Sequence, residues 1–388
     1  MKQERRFFIF TFGCRTNQAE TRLLAETLQK AGWQPGEPDK AKLVLINSCA
    51  VTAKAEKEVR QTIRKIKREN PHCWLVLTGC WREQPQESHL NLKKFSEINL
   101  CLSRAAQKKL PEILKKKLKN FVPSPSQVKS WRRPVYYQDK YGASAKALVK
   151  IQDGCQQFCS YCLVPYLRRQ QQSRSAKTII NEIKKLVKLG IKEVILTGIN
   201  LASFEFRGAE VKTQVKNDLV KLLNLILTRT KIKKISFGSI NLAVLDEDFL
   251  ALYQNPSWRL RLSHHFHIPL QSGCDQTLKR MRRGYQTQEF YQQLVQLKKK
   301  IPGFSFSTDI IVGFPGETKE EFQTSLNFLL KIKQLLGKNF TKVHLFRYSP
   351  RPKTLAAKRE GKPGWEKISE AEKRARAGVV KRQFRVYN

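Results

Sequence analysis

The chain has 388 residues, 40% of them hydrophobic, and carries 74 Lys and Arg against 32 Asp and Glu, a formal net charge of +42. This apolar content can bury a sizeable core over two or three domains and excludes a disordered or fibrous protein. The charge exceeds what solubility requires and points to a polyanion, best a nucleic acid, because each phosphate neutralised adds to binding. An anionic membrane surface fits less well, since the basic residues are spread over the whole chain and not concentrated on one amphipathic helix. Part of the excess covers ordinary solvated faces. No 18-residue apolar run and no leader-like start occur, so a cytoplasmic protein without membrane association is expected. Nine cysteines, an odd number, in such a chain point to metal ligation and not to a disulfide framework.

Strand and helix signals alternate over residues 1–120. Residues 7–11 read as a buried strand and 17–31 as a helix stopped by Gly32. A second strand at 43–46 precedes a helix over 52–69, and a third at 74–77 is followed by a Lys-rich helix over 105–118. Such alternation implies an open parallel sheet with helices on its faces. Residues 121–142 carry prolines without periodicity and read as a linker. The alternation then resumes, with strands at 147–151, 194–197, 234–237, 265–270, 306–312 and 342–346 and helices at 178–189, 219–228, 287–300 and 320–335. Six strand-helix units are two short of a closed eight-fold barrel, so the expected fold is α/β throughout, with a partial (β/α)6 barrel over 143–365. Residues 366–388 read as a helical tail.

Two groups of cysteines stand out. Cys155-Gln-Gln-Phe-Cys159-Ser-Tyr-Cys162 follows the strand at 147–151 directly. Three thiols in one loop can close on one iron–sulfur cluster and leave its fourth iron open, as a reaction centre requires. A zinc site would want four ligands, usually as two pairs, and no partner pair lies nearby; three unrelated core cysteines is the remaining reading. Cys14, Cys49 and Cys80 each fall just past the C-terminal end of one strand of the first sheet, the edge where parallel sheets bind ligands. Each has a small or turn-forming neighbour (Gly13, Asn47-Ser48, Gly79) that lets the backbone turn close to an inorganic group. They form a second candidate cluster site, against the alternative of buried apolar thiols. Cys73, Cys101 and Cys274 lack this placement and read as structural.

The motifs Gly154-Cys155-Gln-Gln-Phe-Cys159-Ser-Tyr-Cys162-Leu-Val-Pro165-Tyr166, Gly13-Cys14-Arg15-Thr16-Asn17-Gln18, Asn47-Ser48-Cys49-Ala50-Val51-Thr52 and Thr78-Gly79-Cys80 resemble those of radical S-adenosylmethionine (SAM) methylthiotransferases. So do the segments at 265–273, 308–317 and 346–352, in order over roughly residues 7–380. The resemblance implies an enzyme that inserts sulfur into an unactivated C–H bond and delivers it methylated, with two 4Fe-4S clusters and SAM as cofactors. Cys155, Cys159 and Cys162 would hold the cluster that cleaves SAM to a 5'-deoxyadenosyl radical, and Cys14, Cys49 and Cys80 an auxiliary cluster carrying the sulfur. Tyr161 would pack near the cofactor adenine, Gly198 and Asn200 near its methionyl end, and Gln271, Gly313 and Phe314 along the ribose and adenine; for each, an ordinary turn or core role is the alternative. The implied partners are the anticodon loop of tRNA, an electron donor such as flavodoxin or ferredoxin, and a sulfur source.

The residues after Cys14 and the run Val51-Thr52-Ala53-Lys54-Ala55 resemble the branch that modifies threonylcarbamoyladenosine at position 37 of tRNA. The branches acting on isopentenyladenosine in tRNA or on a ribosomal-protein aspartate, and a non-catalytic iron–sulfur RNA-binding protein, are the alternatives. Three departures from the family pattern stand out. Arg168-Arg169-Gln lacks the glycine usual after the first arginine, Asn241 stands where glutamate is common, and the chain stops before the family's C-terminal RNA-binding TRAM barrel. Either the barrel is absent from this protein or the sequence is a truncated product; if it is absent, the diffuse basic surface is expected to replace it.

Overall fold

The computed structural model describes residues 5–83, 95–117, 146–207 and 215–387. It divides into two compact units, Met1–Ala143 with Tyr166–Arg168, and Ser144–Pro165 with Arg169–Asn388. The linker expected at 121–142 lies outside the described residues.

The first unit is built on β1 (Arg6–Thr11), β2 (Gln34–Pro35), β3 (Leu43–Ser48), β4 (Trp74–Gly79) and β5 (Leu100–Cys101), all parallel in the order β2-β1-β3-β4-β5. Every residue of β3 and β4 is buried, which is why they read as unbroken apolar runs. Helices Arg15–Lys30, Ala53–Glu69 and Leu110–Lys117 supply the remaining layers. The second of these places Val59, Ile63 and Ile66 on one buried stripe, and Thr52 caps it by accepting from the Ala55 N–H at 3.1 Å. The edge strands β2 and β5 have two residues each, too short to register as a sequence period, and the third helix is entered through a 3-10 turn, Ala105–Lys109. The first helix breaks the usual pattern at its start, burying Thr16, Asn17, Glu20 and Thr21. Polar groups buried together need mutual partners, and here they surround the cysteine edge.

In the second unit β6 (Lys146–Lys150) leads into a small antiparallel ladder of β7 (Gln152–Asp153) and β8 (Gln172–Ser173). Then follow β9 (Glu193–Thr197), β10 (Lys234–Phe237), β11 (His265–His267), β12 (Ser305–Val312), β13 (Phe340–Arg347) and β14 (Val386–Tyr387). Parallel pairing runs β10-β9-β6 and β11-β12-β13-β14, and isolated bridges Ile235↔Leu262 and Ser239↔His267 join the two groups. The result is an open partial barrel of seven parallel strands in chain order, the expected six and β14, with no closing pair among the described residues. β11 is shorter than the strand expected at 265–270 because Pro269 has no N–H to give the ladder and the Leu270 N–H donates to the Thr308 hydroxyl at 2.9 Å, before the chain pairs again at the bridge Gln271↔Ile310. The tail forms the helix Glu370–Gln383, which packs on β12 and β13, and then adds β14 beside β13.

Candidate active site

Register alone brings the first three cysteines to one edge. Thr11 pairs with Asn47, Asn47 with Thr78, and Ser48 with Gly79, so β1, β3 and β4 end level. The edge is then tied crosswise. Asn17 donates to the carbonyls of Phe12 and Ser48 at 3.0 and 2.9 Å, and Asn47 donates to the Asn17 carbonyl at 2.8 Å and the Thr21 hydroxyl at 3.0 Å. The Cys80 N–H donates to the Ser48 carbonyl at 2.9 Å. Gly13, at φ +86, lies so close to Cys49 that a Cβ there would come within 2.5 Å of the Cys49 sulfur. Gly79, at φ +88, would meet the Ser48 carbonyl at the same distance. Only glycine fits either place. Cys14 is exposed while Cys49 and Cys80 are buried. Burial pushes the Cys49 thiol up to about 12, and the thiols of Cys80 and Cys14 push in the same direction. Burial likewise raises Cys80, opposed by Arg168.

Arg168 is fully buried, at 1% exposure, and belongs to this unit. Its Nη1 and Nη2 donate to the two carboxylate oxygens of Glu20 at 2.8 and 3.0 Å, Nη2 donates also to Asn17 Oδ1 at 2.7 Å, and Nε donates to Cys80 Sγ at 3.4 Å. Sequence reading singled out Arg168 only for the residue that follows it and passed over Glu20. No apolar period marks Glu20, whose buried helix neighbours include Thr16, Asn17 and Thr21.

In the second unit the cysteine loop leaves β6 at the edge where β9 ends, Lys150 pairing with Thr197. Gly154, at φ 77, opens the loop, held by the Gln152 amide donating to its carbonyl at 2.7 Å. Ser160 anchors the middle of the loop, its N–H on the Met281 carbonyl at 3.0 Å and its hydroxyl on the Arg280 carbonyl at 2.7 Å. Phe158 adopts φ 46, unusual for a bulky residue, and turns a half-exposed ring outward. Burial pushes the Cys162 thiol up to about 12, with Cys159 and Cys155 pushing it further. Arg283 donates from Nη1 to Cys159 Sγ at 3.4 Å and from Nε to the Tyr285 hydroxyl at 3.1 Å, and that hydroxyl donates to the Leu270 carbonyl at 2.7 Å.

The donor set of each triad fits an iron–sulfur cluster. Among the described residues no three His, Cys, Asp or Glu side chains converge where a single metal ion could sit, as zinc would need. A cluster offers a separate iron to each thiolate, so three cysteines brought to one strand-end edge or one loop can serve it. Its positive irons also stabilise thiolates that burial alone would keep protonated.

The other expected cofactor contacts fall at the same strand ends. The Asn200 N–H donates to Gln152 Oε1 at 2.9 Å, its amide donates to Ser203 at 2.7 Å, and Asn241 donates to Asn200 Oδ1 at 2.8 Å. Gly198 stands against Gln152, where a Cβ would be 3.0 Å from Gln152 Cβ. Gly313, at φ 68, donates its N–H to Glu317 at 2.6 Å. The Phe314 ring is fully buried in an apolar cluster with Met281, Tyr348 and Trp365, and Tyr161 packs edge-on to it with centroids 6.5 Å apart. Cys73 and Cys274 are buried, and Cys101 lies in β5.

Residues 149–329 match the radical SAM superfamily and residues 6–102 the uncharacterized protein family UPF0004. The backbone resembles that of the radical SAM methyltransferase TsrM from Kitasatospora setae, with a TM-score of 0.62 at 14% identity over 92% of this chain and 77% of that one. Fold and motif together thus define a radical SAM enzyme. The chain is 34% identical to a threonylcarbamoyladenosine tRNA methylthiotransferase, MtaB, from Thermotoga maritima, over 96% of this chain and 80% of that protein. It is 35% identical to a tRNA-2-methylthio-N(6)-dimethylallyladenosine synthase from Dictyoglomus thermophilum, over 92% and 78%. The chain belongs to the radical SAM methylthiotransferase family. It is an enzyme that transfers an alkylthio group, using an iron–sulfur cluster and SAM. No helix among the described residues is long and apolar enough to cross a membrane.

Proposed function

We propose that this enzyme methylthiolates N6-threonylcarbamoyladenosine at position 37 of tRNA, using two 4Fe-4S clusters. The observation that carries the two-cluster reading is the pair of coupled cysteine triads, each at a parallel-sheet edge and each with one arginine on one sulfur. With its cofactors bound, the Cys155, Cys159, Cys162 site would supply a SAM-derived radical and the Cys14, Cys49, Cys80 site the sulfur. The protein's own contribution is to fix the cysteine loop through Gln152 and Ser160, hold the SAM-facing turns at Gly198, Asn200 and Gly313, and present a basic surface to the RNA. Flavodoxin or ferredoxin is the expected electron donor, and a separate sulfur source is needed for repeated turnover.

The substrate choice rests on the residues after Cys14 and on the 51–55 run, supported by the similarity to MtaB. The relatives named tRNA-2-methylthio-N(6)-dimethylallyladenosine synthases are about equally similar, and dimethylallyladenosine as substrate is the second reading. Mass spectrometry of tRNA nucleosides from a strain lacking the gene decides between them. Loss of the methylthio group from threonylcarbamoyladenosine is expected, and loss from the dimethylallyl nucleoside alone would reassign the substrate. Filter binding of tRNA should weaken steeply as salt is raised, because a distributed basic surface binds by releasing counterions. A flat salt dependence would refute electrostatic capture of the RNA.

A further inference from the structure

Resting on the reading of Cys14, Cys49 and Cys80 as a cluster site, we propose that Arg168 is a positioning residue for that cluster, donating to the Cys80 sulfur and setting the cluster's reduction potential. A guanidinium is costly to bury, and this one is held on every side. Its two terminal nitrogens clamp the Glu20 carboxylate, one of them also reaches Asn17, and the remaining N–H points at Cys80 Sγ, 3.4 Å away. Asn17 in turn holds the carbonyls of Phe12 and Ser48, the backbone that runs into Cys14 and Cys49. One side chain therefore touches the third ligand directly and governs the turns of the other two through a single amide.

The chemistry at the sulfur follows from the charges around it. Glu20 neutralises Arg168, so what reaches Cys80 is chiefly a directed N–H donor. Reduction adds electron density to cluster sulfurs and strengthens such a bond, which raises the potential. Arg283 makes the same 3.4 Å contact on Cys159, but its other N–H goes to the Tyr285 hydroxyl, and no carboxylate pairs with it among the described residues. Each triad thus has one arginine N–H on one sulfur at 3.4 Å, from Nε on Cys80 and from Nη1 on Cys159, and the two differ in whether a carboxylate neutralises that arginine.

The test uses the full chain with Cys155, Cys159 and Cys162 changed to Ala, reconstituted anaerobically with iron and sulfide, so that only the other triad can hold a cluster. Adding Arg168→Lys keeps the charge and the Glu20 pairing but removes the planar fork that reaches Cys80. An EPR-monitored redox titration should then give a more negative midpoint and altered g values. In the chain with all six cysteines, Arg168→Lys should leave the signal of the Cys155, Cys159, Cys162 cluster in place. A folded Arg168→Lys that loses its iron also supports the role, since the ligand is no longer held. Unchanged midpoint and g values at full iron content would overturn it. Where circular dichroism shows that Arg168→Lys does not fold, Glu20→Gln with Arg168→Gln removes both charges together and carries the same test. If the triple cysteine variant takes up no iron–sulfur chromophore at all, the cluster assignment of Cys14, Cys49 and Cys80 falls, and the proposal with it.

Discussion

Changing Cys159 to alanine is expected to reduce 5'-deoxyadenosine formation by far more than a hundredfold while leaving tRNA binding intact. Outer-shell changes around metal sites alone cost about 10–100-fold, and this change removes one of the three proposed ligands, the sulfur that Arg283 holds at 3.4 Å. The two remaining thiols, Cys155 and Cys162, cannot hold three irons of a four-iron cluster. Binding should survive because the basic residues lie throughout the chain and not in the loop. The measurement is chromatographic quantification of 5'-deoxyadenosine after chemical reduction with SAM present, beside a tRNA filter-binding assay. 5'-Deoxyadenosine formation by the variant at the unaltered protein's rate would refute the role of Cys159.

Arg376→Leu should be the most damaging single change away from the cysteines, lowering stability by about 3–5 kcal/mol, as expected when one partner of a buried ion pair is removed. Arg376 Nη1 donates to the Glu317 carboxylate at 2.7 Å and to its carbonyl at 2.8 Å, with the two side chains 5% and 1% exposed. Glu317 also accepts the Gly313 N–H, so the same pair braces the turn at 312–314. Burial already raises the Glu317 carboxyl above the ordinary range, with Arg376 and Gly313 opposing. Without the arginine the raised value climbs further. A carboxyl with a raised folded-state pKa penalises the fold above that pKa and not below the unfolded one, so the deficit should shrink as pH falls from neutral towards 4. Thermal melts of the variant and the parent across that range give the measurement, and a deficit independent of pH would refute the account. Arg376→Leu with Glu317→Leu should cost less than the single change, because no buried charge is left unpaired.

The cysteine loop was legible because its chemistry is local. Three thiols within eight residues behind an apolar run need no tertiary information to be read as a cluster loop. The strand-end triad was legible for a different reason. Parallel strands separated by helices must place their C-termini on one edge, so Cys14, Cys49 and Cys80 could be gathered from strand positions alone, and the register of β1, β3 and β4 places them there. The two-residue strands β2 and β5 were not visible, since two residues carry no period. Phe314 shows a limit of another kind. Its motif reads as cofactor lining, while its ring fills an apolar cluster with Trp365 and Tyr348, a role that depends on residues far along the chain.

The sequence by itself determined the class of chemistry and the parallel α/β architecture, and singled out the two cysteine sets as candidate sites, because ligand type and hydrophobic period are properties of residues and of short spacings. Tertiary structure decided how the Cys80 and Cys159 sulfurs are held and which buried charges pair. Arg168 reaches Glu20 across 148 residues and Cys80 across 88, and Arg376 reaches Glu317 across 59. A buried guanidinium is stable only where a carboxylate and further acceptors converge on it. That convergence is set by how the elements pack, and it leaves no period or motif in the chain.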